Sequence, residues 1–346
     1  MVILIRYVIE FFEFLWGLIM EFRTYEDLNH AILENLSQIP DDVDLIVGIP
    51  RSGLMVASIL ALYLNRPLTS LDDFLNGELF SSGITKPKKG WIHNISEARK
   101  ILIVEDSVST GTSINTARKA IESQCNYADR CIYLAVYVCP EMVTKVDIAL
   151  EILPLPRIFQ WNFMQHVFLH ESCCDIDGVL CDDPTSEEND DGPRYREFLL
   201  NAKEKLHPGR RVHYLVTSRL EKYRAETEYW LNKHKIAYDK LIMMDLPSAA
   251  ERQRLGNHAA FKAKFYSKVN DATLFIESND AQAREIFIRT NKPVFCIDSQ
   301  KYYCDHNREL LIARRQKVHS KISGIVHRYT LLTKLNNLRK RLVNKR

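Results

Sequence analysis

The stretch ILIVEDSVSTGTS at 101–113 decides how the first half of this chain is read. Its apolar run and two acids, Glu105 and Asp106, predict a buried strand over 100–105, and the small residues after it predict a loop opening a helix from Ser113 to about Gln124. Two carboxylates at a strand end can accept hydrogen bonds from the two cis hydroxyls of a ribose. Ser109, Thr110, Gly111, Thr112 and Ser113 then offer consecutive backbone N–H groups and hydroxyls at a helix N-terminus, where a phosphate is favoured. Gly111 lets the backbone approach that phosphate closely. These residue types, in this order, suit a ribose 5-phosphate.

Working outward, the pattern alternates between helix and strand. LNHAILENL reads as a helix, DLIVGI as a strand, LMVASILALYL as a helix and CIYLAVYV as a further strand. Short apolar strands separated by amphipathic helices imply a parallel sheet covered on both faces. A second series begins near Phe168, with strands expected around 168–175, 212–217, 240–244, 273–277 and 293–297. At 346 residues the chain fits two domains with extras. The expected division is a hydrophobic extension over 1–21, a first domain over 22–152, a linker over 153–166 containing LPLPRIFQWNF, a second domain over 167–300 and a basic helical tail over 301–346.

The 101–113 stretch resembles the phosphoribosyl-diphosphate signature of type I phosphoribosyltransferases, in which two acids follow four apolar residues and precede a Thr-Gly-x-Thr/Ser loop. VGIPRSG at 47–53 is similar to that family's pyrophosphate loop, which implies that Arg51, Ser52 and Gly53 hold the leaving diphosphate. Taken alone, the same residues also read as a plain strand-to-helix turn capped by Ser52. Between them, SSGITKPKKGW at 81–91 has the composition of a mobile loop, with Lys86, Lys88 and Lys89 either closing over the diphosphate or simply solvated. The resemblance implies displacement at C1 of phosphoribosyl diphosphate (PRPP), with Mg²⁺ bridging diphosphate and ribose hydroxyls, and a β-ribofuranosyl product. Asp72 and Asp73 are candidates for the base that deprotonates the acceptor.

A second site begins at DIDGVLCDDPT, 175–185, which resembles the first motif of haloacid dehalogenase (HAD) superfamily phosphatases. The resemblance implies that Asp175 attacks phosphorus and Asp177 protonates the leaving oxygen. By itself the motif also reads as a strand-end turn or a calcium loop. YLVTSR places Thr217 where the family has a hydroxyl donor to the phosphate. FKAKFY supplies the phosphate-binding lysine, assigned to Lys262 with Lys264 and Lys268 as alternatives. FIESND supplies Glu277 and Asp280, implied to join Asp175 and Asp177 as Mg²⁺ ligands, although ES-x-D departs from the family's commoner paired aspartates. The short spacing between these motifs leaves no room for a large cap domain.

The fold expected is therefore α/β, with two Rossmann-like parallel-sheet domains, the first of the type I phosphoribosyltransferase kind and the second HAD-like with a minimal cap. Together the two resemblances imply a bifunctional enzyme, both glycosyltransferase and phosphatase. It would transfer ribofuranose 5-phosphate to a glycan acceptor, free or lipid-linked, and then hydrolyse the 5-phosphate, as in bacterial capsule and O-antigen biosynthesis. Two alternatives stand beside this: a nucleobase phosphoribosyltransferase fused to a nucleotidase, and a regulatory protein that senses PRPP.

The 46% hydrophobic and 26% charged fractions are those of a globular protein, and the eight cysteines show no CxxC spacing, so reduced thiols and a cytoplasmic setting are expected. The net charge of +3 hides an asymmetry: 307–346 carries +11 and the remainder −8. Within that tail Ile325, Val326, Tyr329, Leu332, Leu335, Leu338 and Leu342 recur at helical spacing among Arg and Lys. Such a helix fits the inner face of an anionic membrane, at about 1 kcal/mol per Lys or Arg, a partner glycosyltransferase, or the acidic body of the chain itself. Nucleic acid is not an expected partner, because no aromatic-interleaved patch accompanies the charge. Residues 1–19 are apolar but interrupted by Arg6, Glu10 and Glu13, too often for a bilayer span; they read as a packed helix, a surface-binding helix, or residues ahead of a start at Met20.

Overall fold

The computed structural model describes residues 20–81, 91–255 and 258–304. The expected N-terminal helix, the lysines of the 81–91 loop and the basic amphipathic tail lie outside the described residues. Among those described, no helix is long and apolar enough to cross a membrane, and all eight cysteines are free thiols. The chain divides into two compact units, parted between Arg157 and Ile158.

In the first unit, α1 (Tyr25–Glu34) opens on a capping box. Thr24 Oγ1 accepts from the Asp27 N–H, and the Asp27 carboxylate accepts from the Thr24 N–H at 2.8 Å. The sheet follows: β1 (Leu45–Gly48), α2 (Ser52–Leu64), β2 (Leu68–Ser70), α3 (Leu71–Leu75), β3 (Ile101–Val108), α4 (Thr112–Gln124), β4 (Cys131–Val138) and β5 (Ile148–Ile152). All five strands are parallel, in the order β2-β1-β3-β4-β5. Central strands of such a sheet are covered on both faces, which is why β1 is buried throughout and β3 everywhere but at Ser107.

The chain leaves β1 for β2 on one side and then returns to place β3 on the other. Ligands in open α/β sheets bind beyond the carboxyl ends of the strands where the order reverses in this way. That crevice lies between β1 and β3, whose following loops carry the VGIPRSG and STGTS segments.

The second unit repeats the device with a different order. Its elements are β6 (Ser172–Cys174), α5 (Pro193–Asn201), β7 (Val212–Leu220), α6 (Arg224–Lys233), β8 (Tyr238–Met244), α7 (Ala249–Leu255), α8 (His258–Tyr266), β9 (Leu274–Glu277), α9 (Asp280–Thr290), β10 (Val294–Cys296) and β11 (Lys301–Tyr303). The sheet runs β8-β7-β6-β9-β10-β11, parallel except for β11, which is antiparallel to β10. Its reversal lies between β6 and β9. Only α5 stands between β6 and β7, so no large cap interrupts the unit.

Four expectations are refined by the structure. β3 continues through Asp106 to Val108 rather than ending at Glu105, and β7 continues to Leu220 rather than ending near Thr217. The 153–166 segment expected as a linker holds the boundary between the units, at Arg157 and Ile158, and within it Arg157–Phe159 is a buried strand. Lys301–Tyr303, expected to open the helical tail, is instead the edge strand β11.

Candidate functional sites

The first site is made where β3 outruns its neighbour. β3 pairs with β1 only from Ile101 to Val104, but with β4 as far as Val108. Glu105 and Asp106 therefore lie past the end of β1, and the N-terminus of α2 fills that edge. Ser52 Oγ donates to Asp106 Oδ1 at 2.8 Å, and from the start of α4 Ser113 Oγ donates to Glu105 Oε2 at 2.5 Å.

Gly53 makes the approach feasible. A Cβ there would stand 2.5 Å from the Val104 carbonyl oxygen and 3.0 Å from Glu105 Cα. Gly111 has φ 74°, the left-handed region that glycine adopts without strain, and it turns the chain from β3 into α4. Ser109, Thr110, Thr112 and Arg51 are exposed around this loop, and Thr110 and Thr112 share a hydroxyl–hydroxyl hydrogen bond of 2.9 Å. The Pro50–Arg51 peptide is cis.

Burial pushes the Glu105 carboxyl up to about 8; the Ser113 hydroxyl pulls it down and the neighbouring Asp106 charge pushes it further up. Of the base candidates, Asp73 is tied into the cap of α3, where Ser70 Oγ accepts from the Asp73 N–H at 3.1 Å and donates to its carboxylate, while Asp72 is exposed on the same helix.

The second site lies at the β6/β9 reversal. Asp175 follows β6 and Glu277 ends β9, and Lys262 of α8 reaches between them. Its ammonium donates to Asp175 Oδ2 at 2.5 Å, to Glu277 Oε2 at 2.7 Å and to Gln282 Oε1 at 3.0 Å. Lys262 falls on the inward stripe Ala259, Lys262, Ala263, Tyr266, whereas Lys264 and Lys268 are exposed.

One ammonium serves two buried carboxylates, so the cluster keeps one excess negative charge. Burial accordingly pushes the Asp175 carboxyl up, against the pull of Lys262, and the two carboxylates outweigh burial in holding the ammonium charged. Glu277 Oε1 also accepts from the Ser278 and Asn279 N–H groups at 3.0 and 3.2 Å.

Asp177 is held differently. β7 pairs with β6 only as far as Leu215 but runs on beside β8 to Leu220, which carries Thr217 and Arg219 past the end of β6. Arg219, fully buried, donates from Nη2 to Asp177 Oδ1 at 2.6 Å and from Nε to Oδ1 and Oδ2 at 3.1 and 3.2 Å. Thr217 is also fully buried, and its hydroxyl accepts from the Arg219 N–H at 3.2 Å.

Sequence reasoning passed over Arg219. Its signal was the period of a strand: residues two apart share a face, so a residue two beyond Thr217 faces the same site. Gly178, at φ 74°, completes the turn, since a Cβ there would meet Ser278 Oγ at 2.3 Å.

The residues expected to ligate Mg²⁺ do not converge. Asp175 and Glu277 are engaged by Lys262, Asp177 by Arg219, and Asp280 accepts from the Tyr303 hydroxyl at 2.6 Å at the edge of the sheet. Among the described residues no group of three or more His, Cys, Asp or Glu is arranged to hold a metal ion. The oxygen donors are of the kind Mg²⁺ takes, and in this arrangement Lys262 and Arg219 offset two of the three charges of Asp175, Asp177 and Glu277.

Comparison with known proteins bears on the first unit. Residues 23–138 match the phosphoribosyl transferase domain family. A hypoxanthine/guanine phosphoribosyltransferase of Methanohalobium evestigatum is 34% identical over 32% of this chain and 58% of its own length. One of Methanosarcina mazei is 33% identical over 28% of this chain and 54% of its own. The chain thus spans little more than half the length of these relatives. A Helicobacter pylori xanthine-guanine-hypoxanthine phosphoribosyltransferase structure covers 42% of this chain and 92% of its own at 16% identity, with a TM-score of 0.31, too low to carry an argument. The signature on β3, the loop after β1 and the family match coincide over one stretch: residues 23–138 of this chain are a type I phosphoribosyltransferase domain.

Proposed function

We propose that the first unit transfers a 5-phosphoribosyl group from PRPP to a nucleophilic acceptor and that the second unit hydrolyses a phosphomonoester. The observation that carries the first half is the pair Glu105 and Asp106, oriented by the Ser113 and Ser52 hydroxyls rather than locked to a cation by those bonds. Both carboxylates are acceptors of the kind a ribose diol requires. Ser109 to Ser113 cradle the 5-phosphate through N–H groups and hydroxyls at the start of α4, and Arg51 beside Ser52 and Gly53 faces the diphosphate. Mg²⁺, when bound with PRPP, would neutralise charge on the leaving diphosphate.

The acceptor that the relatives favour is a purine base, since those aligned are named hypoxanthine/guanine phosphoribosyltransferases. A glycan acceptor is the second reading, and one argument supports it. A base-salvage enzyme gains nothing from a phosphatase that destroys its nucleotide product, whereas installing plain ribofuranose requires removal of the 5-phosphate.

For the second unit we assign HAD-type chemistry. Asp175 is the nucleophile, forming an aspartyl-phosphate that water then hydrolyses. Asp177 is the acid for the leaving oxygen, Thr217 supports the phosphoryl group, and Lys262 with Glu277 fixes Asp175. Full-length protein incubated with PRPP, Mg²⁺ and panels of purine bases and glycans, compared with Asp175→Asn, tests both halves by mass spectrometry. Nucleotide accumulating in the variant supports a base acceptor, and phosphoribosylated glycan supports the second reading. Failure to release pyrophosphate with any acceptor would falsify the transferase assignment.

A further inference from the structure

We propose that Arg252 receives the phosphoryl group at the second site, its Nε and the neighbouring Ser218 hydroxyl binding two non-bridging oxygens. The proposal rests on the phosphomonoesterase reading above. A cleft of about 300 Å³ opens over the cluster, with Asp175, Asp177, Ser218, Arg252, His258 and Lys262 among its lining. That volume is at the small end for ligand sites and suits one phosphorylated sugar.

The charges of the cleft show which group is left for a substrate. Lys262 is committed to Asp175 and Glu277, and Arg219, just behind the lining, to Asp177. Asp183 and Asp298 also face the cleft, so its lining carries four carboxylates. A phosphoryl dianion arriving there needs a cation not already bound to a carboxylate. Among the described lining residues Arg252 has that character.

Arg252 is only 6% exposed. Its Nη1 donates to the Ser218 carbonyl oxygen at 3.0 Å and its Nη2 to Asn189 Oδ1 at 3.4 Å, both neutral acceptors. Its Nε is buried with no hydrogen-bond partner among the described residues, and so is Ser218 Oγ. A buried guanidinium that lacks both a counter-charge and one hydrogen bond is expensive to keep. It is also held in place by those bonds and by the Tyr195 hydroxyl, so the guanidinium is pre-positioned at the cleft. A guanidinium is the natural partner of phosphate oxygens.

The test uses the full chain with Arg252→Ala, Arg252→Lys and Ser218→Ala. Ribose 5-phosphate hydrolysis is followed by steady-state kinetics, and binding of inorganic phosphate and ribose 5-phosphate by calorimetry. Arg252→Ala should raise KM and weaken both ligands by about 10- to 100-fold, as expected for a charged hydrogen bond. Arg252→Lys should recover part of the loss, while the far-ultraviolet circular dichroism stays unchanged.

Unchanged KM and phosphate affinity in Arg252→Ala, with hydrolysis intact in the wild type, would overturn the proposal and leave the phosphatase reading standing. A loss confined to ribose 5-phosphate would place Arg252 on the sugar and overturn it too. If the wild type hydrolyses neither ribose 5-phosphate nor other phosphomonoesters, the phosphatase reading fails. Inorganic phosphate binding then decides the matter for Arg252 alone: lost in the alanine variant it supports the proposal, retained it overturns it.

Discussion

The two units solve one problem in opposite electrostatic ways. Each places its acids where the strand order of a parallel sheet reverses, beyond the end of a strand that stops short of its neighbour. In the first unit hydroxyls orient the acids: Ser113 on Glu105 and Ser52 on Asp106. In the second, buried cations hold them: Lys262 on Asp175 and Glu277, and Arg219 on Asp177. Hydroxyl donors orient a carboxylate and leave its charge for a substrate diol to use. A buried ammonium shared by two carboxylates fixes their position, while burial still pushes the Asp175 carboxyl up.

Substitutions that remove each kind of partner should separate these strategies. The largest effect is expected from Lys262→Met, which leaves Asp175 and Glu277 buried without their shared cation. Breaking a buried pair typically costs about 3–5 kcal/mol, and urea denaturation should show a loss of that size, with phosphate hydrolysis abolished. A stability close to wild type would mean that the two carboxylates do not depend on Lys262.

Gly53→Ala should come next. The added Cβ would press on the Val104 carbonyl and drive α2 away from β3. A loss of about 1–3 kcal/mol, typical of overpacking, is expected, together with weakened PRPP binding by calorimetry. Wild-type affinity in that variant would show that the Ser52–Asp106 contact is dispensable.

Both sites should respond to pH, since burial raises the Asp175 carboxyl as well as that of Glu105, and Glu105 isolates the response of the hydroxyl-held site. Glu105 titrates near 8 in the folded protein, above its usual value of 4.5. The folded state therefore holds a proton that the unfolded chain has lost. The stability contributed by this group is fully present below about pH 4.5 and is lost as pH rises through 8. Ribose binding runs the other way, because the ionised carboxylate is the better acceptor for a diol. Glu105→Gln should flatten the fall in thermal midpoint between pH 5 and 8, measured against wild type; an unaltered slope would contradict the assignment.

The smallest effect concerns His213, at the far end of β7 from the acids. Burial lowers its pKa, but the hydrogen bonds its ring donates to Asp239 at 2.8 Å and Asp271 at 3.1 Å raise it by more, for a net rise. Its contribution is present below about pH 6.5 and is lost as pH rises through the higher folded value. Asp239 and Asp271 are partly exposed, so His213→Asn should cost under about 1 kcal/mol at pH 6, read by urea denaturation. A larger loss would show that the pair is shielded from solvent.

Much of both sites was legible beforehand because the chemistry is local in the chain. Asp175 and Asp177 lie two residues apart, and Ser109 to Ser113 are consecutive. Of the three candidate lysines, the fold turns Lys262 inward with Ala259, Ala263 and Tyr266, and leaves Lys264 and Lys268 exposed. Less could be foreseen where long-range packing decides. Asp280 reads as a ligand three residues after Glu277, yet α9 begins there and carries it to Tyr303 on β11.

The sequence by itself determined the alternation of strand and helix, hence two parallel sheets, and the short motifs at their carboxyl ends, because apolar periodicity and loop composition are properties of neighbouring residues. Only the tertiary structure decided which strands outrun their partners, that Arg219 closes on Asp177 across 42 positions of chain, and that Arg252 is buried facing the cleft with its Nε unpaired. Those outcomes depend on register and on packing between distant segments, and the local pattern of residues does not encode either.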